Sequence, residues 1–571
     1  MPDSRLLPHP KGLYILFVTE MWERFNYYGM RAVLILFMTK ALLFSKVFAA
    51  NLYGSYTGLI YLTPLLGGYI ADRYWGNRRS IIIGGIVMAA GEMVLFVCAS
   101  LFHTYPQLSL LLFFCGLGCM IAGNGFFKPN ISSLVGQLYS ETDKRKDTAY
   151  TIFYMGINTG GALGPIICGL TGDTGNPADF KWAFLAGGIS MIISVIVQVV
   201  FHHRYVKDPA GNVLGLTPED APVKLLRPLL TVAGLVLITL LMIGLLYLDA
   251  AVISYLSYFL VVVVIVIAVI ILRDPSLSRV EKQRIQLIFI ISFFVIFFWA
   301  AFEQAGASLT FFADEQTDRQ LGWRIPVWGI QLGAVGLWYL LYRLYRKTQR
   351  QLAAAADRLL RHTVYGLLAG LLTGIVGIQV YLLVQGNSVF PLNEIPPSLF
   401  LSLGSIYIVL FAPFFAWLWP RLGKREPNAV VKMAIGLLLL ALGYLWITFG
   451  VKAITPGAKV SIIWITGMYA LHSFGELCLS PIGLSLVNKL SPLKFSSLLM
   501  AVWFLATAAA NKFAGVLSTL YPEQGRITAF VGYPIRNAYD FFLLFVVMVG
   551  AAAVLLLLLS KRLSAMMNGR Q

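Results

Sequence analysis

Charge is scarce in this sequence: only 12% of its 571 residues are Asp, Glu, Lys or Arg, roughly half the share found in soluble domains. That shortage argues against a water-soluble enzyme. Cysteine is scarce too, and the five present (Cys98, Cys115, Cys119, Cys168 and Cys478) all fall inside apolar runs. There they read as small apolar residues, not as a disulfide framework or a zinc knuckle. Histidine occurs six times, with His202 and His203 adjacent in what reads as a polar loop. No His/Glu/Asp metal cluster, nucleophile elbow or phosphate loop is legible, so no metal and no cofactor is expected. A membrane-embedded enzyme is therefore the weakest functional reading. The chain also lacks low-complexity segments, heptad arrays and short repeats. Residues 1–12 are polar, and the first apolar run is too long for a cleaved signal, so the first helix is expected to serve as its own targeting signal.

Apolar residues are abundant, at 58% of the chain, with a mean hydropathy of +0.76. One membrane span takes roughly 20 of them, so the content suffices for about sixteen helices. Apolar runs lie near 13–38, 50–71, 80–101, 107–139, 148–172, 182–201, 228–248, 251–272, 285–313, 326–342, 363–385, 396–420, 429–450, 460–488, 495–519 and 537–560. The net charge of +18 does not point to nucleic acid, because the basic residues sit in short clusters between these runs. The clusters alternate, and most of the 44 Lys and Arg fall on the N-terminal side. Positive charge on the cytoplasmic face then predicts a multi-pass protein of the cell membrane with both termini in the cytoplasm.

The polar stretch 202–227 separates six spans from the rest. We read 1–203 as an N-terminal six-helix bundle and 204–284 as a linker with an additional helical hairpin turning near Asp249. Residues 285–322 read as a seventh core helix with its outer loop, and 395–571 as the remainder of a C-terminal bundle. Between them, 323–394 reads as an inserted hairpin whose connector carries Arg343, Arg346, Lys347, Arg350, Arg358 and Arg361. The insertion forms either a second transmembrane hairpin or two interfacial helices.

Residues Gly67–Arg79 read Gly-Gly-Tyr-Ile-Ala-Asp-Arg-Tyr-Trp-Gly-Asn-Arg-Arg. This stretch resembles the cytoplasmic loop signature of the major facilitator superfamily, in which Asp72 and Arg73 can lock two helix ends together. The resemblance implies an all-α polytopic membrane protein of two six-helix bundles, here with the hairpin between the bundles and a second one inserted.

Ionisable groups inside spans cost about 2.5–3.5 kcal/mol each on insertion scales and mark function by default. In the first span, Glu20, Glu23, Arg24, Tyr27, Tyr28 and Arg31 share one helical face about 140° wide. Such a stripe cannot face lipid and must line a wet cavity. Lys128 lies in an apolar run beside Pro129, which interrupts helix hydrogen bonding. It is either functional or a lysine reaching from a span end. Glu303 lies mid-span among Phe298, Trp299, Phe302 and Phe311, and Glu476 lies in an apolar run ahead of Ser480-Pro481, where the helix should break. Each is either a proton-exchanging group or half of a permanent ion pair. Acids at one end of a cavity and a Lys and an Arg at the other fit a zwitterion of modest length.

The stripe reads Glu-x-x-Glu-Arg-Phe-x-Tyr-Tyr-Gly and resembles the first-helix motif of the proton-dependent oligopeptide transporter family, within the major facilitator superfamily. Phe126–Ser132, Phe153–Gly160, Glu303–Gly306 and Gly475–Ser485 are similar to its fourth-, fifth-, seventh- and tenth-helix motifs, in that order. The resemblance implies a proton-coupled symporter importing di- and tripeptides by alternating access, with protons, peptides and the bilayer as partners and a monomeric state. It implies that Glu20, Glu23, Arg24 and Glu303 couple protons. It places Arg31 and Lys128 at the peptide carboxylate, and Glu476 and Asn158 at its amine. Tyr27, Tyr28, Tyr61, Tyr154 and Trp503 would line side-chain pockets, and Ser480 would join the substrate site. It further implies ion pairs Arg31–Glu303 and Lys128–Glu476. In the eighth span Gly404 stands where the family often has Asn, which keeps a symporter for another amino-bearing or anionic solute as the alternative. Glu92 and Lys512 are intramembrane charges that the resemblance leaves without a role.

Overall fold

The computed structural model describes residues 9–140, 143, 145–217, 227–247, 262, 264–320, 335–336, 339, 343, 394–452, 458–492, 495–523 and 526–567. The expected hairpin within 323–394 and the turn near Asp249 lie outside these residues, apart from isolated positions. The chain divides into two compact units, 318–395 and all the rest. In the smaller unit the two ends are tied together: Arg319 pairs with Glu394 at 2.8 Å, and the Ile395 N–H donates to the Arg319 carbonyl at 3.0 Å.

The larger unit is helical almost throughout. Helix α1 (Lys11–Leu36) runs on into a wider turn at Phe37–Ala41. Helix α2 (Lys46–Leu62) starts where the Ser45 hydroxyl accepts from the Phe48 N–H, and Pro64 then opens α3 (Pro64–Ile70) in the same crossing. Proline suits a first-turn position, where its missing N–H has no partner to lose. The half is completed by α4 (Asn77–Leu101), α5 (Pro106–Gln137), α6 (Arg145–Gly172) and α7 (Phe180–Tyr205). Helices α8 (Arg227–Tyr247) and α9 (Val264–Arg273) follow. The second half opens with α10 (Arg279–Phe302), started by a capping box between Ser278 and Glu281. It passes through a tight turn at Glu303–Gly306 into α11 (Ser308–Glu315). Then come α12 (Phe400–Arg421), α13 (Ala429–Val451), α14 (Ile462–Leu490), α15 (Ser496–Ser518) and α16 (Ala538–Ala565). A short antiparallel hairpin precedes α16, pairing Thr528 with Ile535 and Phe530 with Tyr533.

Ten of the described helices are long and apolar enough to cross a membrane. The first crossing is not among them because its interior is charged. Burial is inverted relative to a soluble protein: Ile86, Leu410, Val547 and Leu558 are exposed, whereas Glu23, Arg24 and Arg31 are buried.

Helix α1 packs into the first half against α6 and α7. The close approach requires glycine, since a Cβ on Gly160 would sit 2.1 Å from the Met21 carbonyl oxygen and one on Gly164 2.3 Å from that of Phe25. The two halves meet where α2 packs on α15 and α6 on α12. At the first seam a Cβ on Gly54 would lie 2.6 Å from the Gly515 Cα.

Three local expectations differ from the structure. Helix α14 runs through Pro481 instead of breaking there, as α5 runs through Pro129, because neighbouring helices support a membrane helix across a proline. His202 and His203 belong to the last turn of α7, where His202 is buried between Gln198 (2.7 Å) and the Leu214 carbonyl (2.9 Å). Asp72 and Arg73 are exposed and form no ion pair among the described residues. The loop is held instead by main chain, with the Arg78 N–H on the Gly215 carbonyl at 2.9 Å, and by Trp75 stacked on Phe126.

Candidate functional site

Two of the other stripe residues on α1, Tyr27 and Tyr28, gather around Arg31. Its guanidinium pairs with Glu303, at the turn between α10 and α11, and so joins the two halves. Its Nε donates to the Tyr53 hydroxyl of α2 at 2.8 Å, and an Nη donates to Tyr27 at 3.4 Å. The rings of Tyr27, Tyr28 and Tyr53 all lie within 6 Å of the guanidinium carbon. The arrangement spreads one buried cation over a carboxylate, two phenols and three ring faces. Beyond the C-terminal end of α1, Lys40 pairs with Asp314 at 2.8 Å and Lys46 with Glu315.

The other charged cluster sits about two turns nearer the start of α1. Arg24 Nε lies 3.0 Å from Glu20 and 2.5 Å from Glu23, and all three side chains are buried. Asn124 of α5 donates to the free side of Glu23 at 2.9 Å. Arg24 Nη2 and Glu20 Oε2 are buried without a hydrogen-bond partner among the described residues. Two carboxylates thus share one buried guanidinium.

One turn farther along α5, the Lys128 ammonium lies over the Tyr61 ring, 3.9 Å from its centroid. The expected Lys128–Glu476 pair is not formed. Glu476 of α14 accepts from the Tyr154 hydroxyl of α6 at 3.3 Å. Asn158 is buried but donates back to the Tyr154 carbonyl at 3.0 Å. Trp503 of α15 packs over Gly483 of α14, where a Cβ would lie 2.3 Å from its ring. Ser480 is half-buried on α14. The structure thus joins Arg31 to Glu303, Arg24 to Glu20 and Glu23, and Tyr154 to Glu476, and leaves Lys128 on an aromatic face.

Sequence reasoning missed Tyr53 and Asn124. Tyr53 lies eight residues before Tyr61, and Asn124 four before Lys128, so each shares a helical face with a residue that was found. Both residues left without a role are buried and locally held. Glu92 of α4 accepts from Asn26 of α1 at 2.7 Å, and Lys512 of α15 donates to Asn51 and Ser55 of α2 at 2.5 and 3.0 Å. Gly404 on α12 faces open space, where a Cβ would meet nothing within 4 Å.

A multi-helix membrane fold with buried, cross-linked charges between its halves is that of a transporter of the major facilitator type. The model of the POT family (PTR2) matches residues 78–335 and 379–530. The chain is 30% identical over 528 residues to the uncharacterized transporter YclF of Bacillus subtilis (strain 168), covering 92% of this chain and 90% of that one. It is 28% identical over 525 residues to the peptide transporter YePEPT of Yersinia enterocolitica subsp. palearctica serotype O:3 (strain YE-P4), covering 89% and 87%. A crystal structure of a POT family transporter in complex with a thioalcohol-conjugated peptide superposes with a TM-score of 0.73 at 25% identity, covering 99% of each chain. The chain belongs to the POT family.

Proposed function

We propose that this protein imports di- and tripeptides with protons across the cell membrane, alternating between outward- and inward-open forms as a monomer with both termini in the cytoplasm. The observation that carries the reading is the buried Arg31–Glu303 pair between the halves, with the doubly acidic Arg24 cluster two turns away on the same helix. Support also comes from relatives described as peptide transporters. In this reading Glu20, Glu23, Arg24 and Glu303 exchange the proton. Arg31 and Lys128 receive the peptide carboxylate, Glu476 and Asn158 its amine. Tyr27, Tyr28, Tyr61, Tyr154, Ser480 and Trp503 shape the rest of the site. Neutralising Glu303 would free Arg31 for substrate, so proton and peptide binding reinforce each other.

The Lys128 ammonium and Glu476 carboxylate lie on different halves without touching. This leaves opposite charges available to the two ends of a zwitterion. Gly404 favours the second reading, a wider class of amino-bearing or anionic solutes, because open space replaces a side chain there.

The test is uptake of labelled dialanine into proteoliposomes under an inward proton gradient, with and without a protonophore. Counterflow needs no net proton movement, so Glu23→Gln should retain counterflow and lose gradient-driven uptake. Retention of both at wild-type rates would remove Glu23 from the coupling role.

A further inference from the structure

Glu92 is an intramembrane acid that the transport reading does not use. It is 0% exposed, on α4, and Asn26 of α1 donates to its Oε1 at 2.7 Å. The remaining polar atoms of the pair, Glu92 Oε2 and Asn26 Oδ1, are both buried and lack hydrogen-bond partners among the described residues. Both are acceptors when the acid is ionised. A proton on Oε2 is the one donor that this pair lacks.

The surroundings supply no other compensation. Among the described residues no Lys or Arg pairs with Glu92, and the nearby Tyr56 of α2 and Cys168 of α6 are not cations. From α7, the backbone closes over the pair: a Cβ on Gly187 would sit 3.0 Å from the carboxyl carbon and 3.2 Å from the Asn26 amide nitrogen. An ionised carboxylate sealed in this way would carry a desolvation cost that one amide donor offsets only in part.

We propose that Glu92 is held as a neutral carboxylic acid, a proton site separate from the coupling groups, which fastens α4 to Asn26 and so sets the rotation of α1. Asn26 lies between Glu23 and Tyr27 in sequence, so fixing it also aims the charged stripe. Glu92 is then a positioning residue, and its proton stays in place through the transport cycle.

The experiment uses the full-length protein in proteoliposomes. Gln reproduces the acceptor and donor of a neutral Glu, so Glu92→Gln should keep gradient-driven uptake within about twofold of wild type and leave its pH profile unmoved. Infrared spectra should show a protonated-carboxyl stretch that persists over the pH range in which uptake varies and is absent from Glu92→Gln. Glu92→Ala, which leaves Asn26 alone in an apolar interior, should lower the melting temperature by several degrees, and Glu92→Gln should not. A shifted pH profile or lost proton-driven uptake in Glu92→Gln would overturn the proposal, as would a carboxyl band of Glu92 that titrates. Equal melting of Glu92→Ala and wild type would overturn the positioning role. Dialanine counterflow in the wild-type protein tests the peptide-symport reading by itself, whereas the Glu92 carboxyl band and the melting temperatures need no transport, so the two failures are distinguishable.

Discussion

Glu303→Gln is the most direct perturbation of the contact between the halves. The substitution leaves Arg31 buried without a counter-charge, with only neutral acceptors around it among the described residues: the Tyr53 and Tyr27 hydroxyls and the new amide oxygen. Removing one member of a buried pair costs about 3–5 kcal/mol. At about 1.4 kcal/mol per decade, that is an upper limit of roughly two to three and a half decades in the equilibrium between closed and open outer sides. The neighbouring pair Lys40–Asp314 has side chains 34% and 21% exposed, and such exposed pairs contribute about 0–1 kcal/mol. The two pairs can therefore be ranked. A cysteine at Ala307, 1% exposed beside the Glu303 turn, reports opening through its reaction with an impermeant thiol reagent added outside. In Glu303→Gln its labelling should accelerate by about one to three decades. In Lys40→Ala it should accelerate by no more than about fivefold. Unchanged labelling in Glu303→Gln, or an equal effect of Lys40→Ala, would show that Arg31 does not hold the outer side shut.

Glu476→Gln should weaken dialanine binding by about one to two decades, since a charge-assisted hydrogen bond contributes about 1.5–3 kcal/mol. N-acetylated dialanine, which lacks the ammonium, should lose little. Equal proportional losses in a competition assay would assign Glu476 to structure or coupling instead. Gly164→Ala should lower the melting temperature, because its Cβ would meet the Phe25 carbonyl oxygen at 2.3 Å and backbone atoms cannot turn aside. Overpacking of this kind costs about 1–3 kcal/mol, and an unchanged melt would show that α1 and α6 are less tightly apposed. A cysteine at Thr104, exposed between α4 and α5, should react with the reagent from outside intact cells. One at Lys424, exposed after α12, should not, and the opposite pattern would invert the topology.

For the described residues, the sequence by itself determined the helices, their membrane setting and the charged stripe. These follow from local quantities: run length, apolar content and 3.6-residue periodicity read along one chain. Tertiary structure decided which charges meet. Arg31 and Glu303 are 272 residues apart and touch, whereas Lys128 and Glu476 do not, and no feature of spacing separates those two outcomes. Tyr53 and Asn124 looked like ordinary helix residues until folding placed them on Arg31 and Glu23. Pro481 read as a break, but the helix packed among its neighbours continues through it. Asp72 and Arg73 matched a loop signature, yet the loop is closed by main chain and by the Trp75–Phe126 stack. Glu92 shows the distinction most plainly. From sequence it was a costly charge without a role, because cost depends on what surrounds the carboxyl. Only the packing of α1, α4 and α7 brings Asn26 and the Gly187 backbone against it.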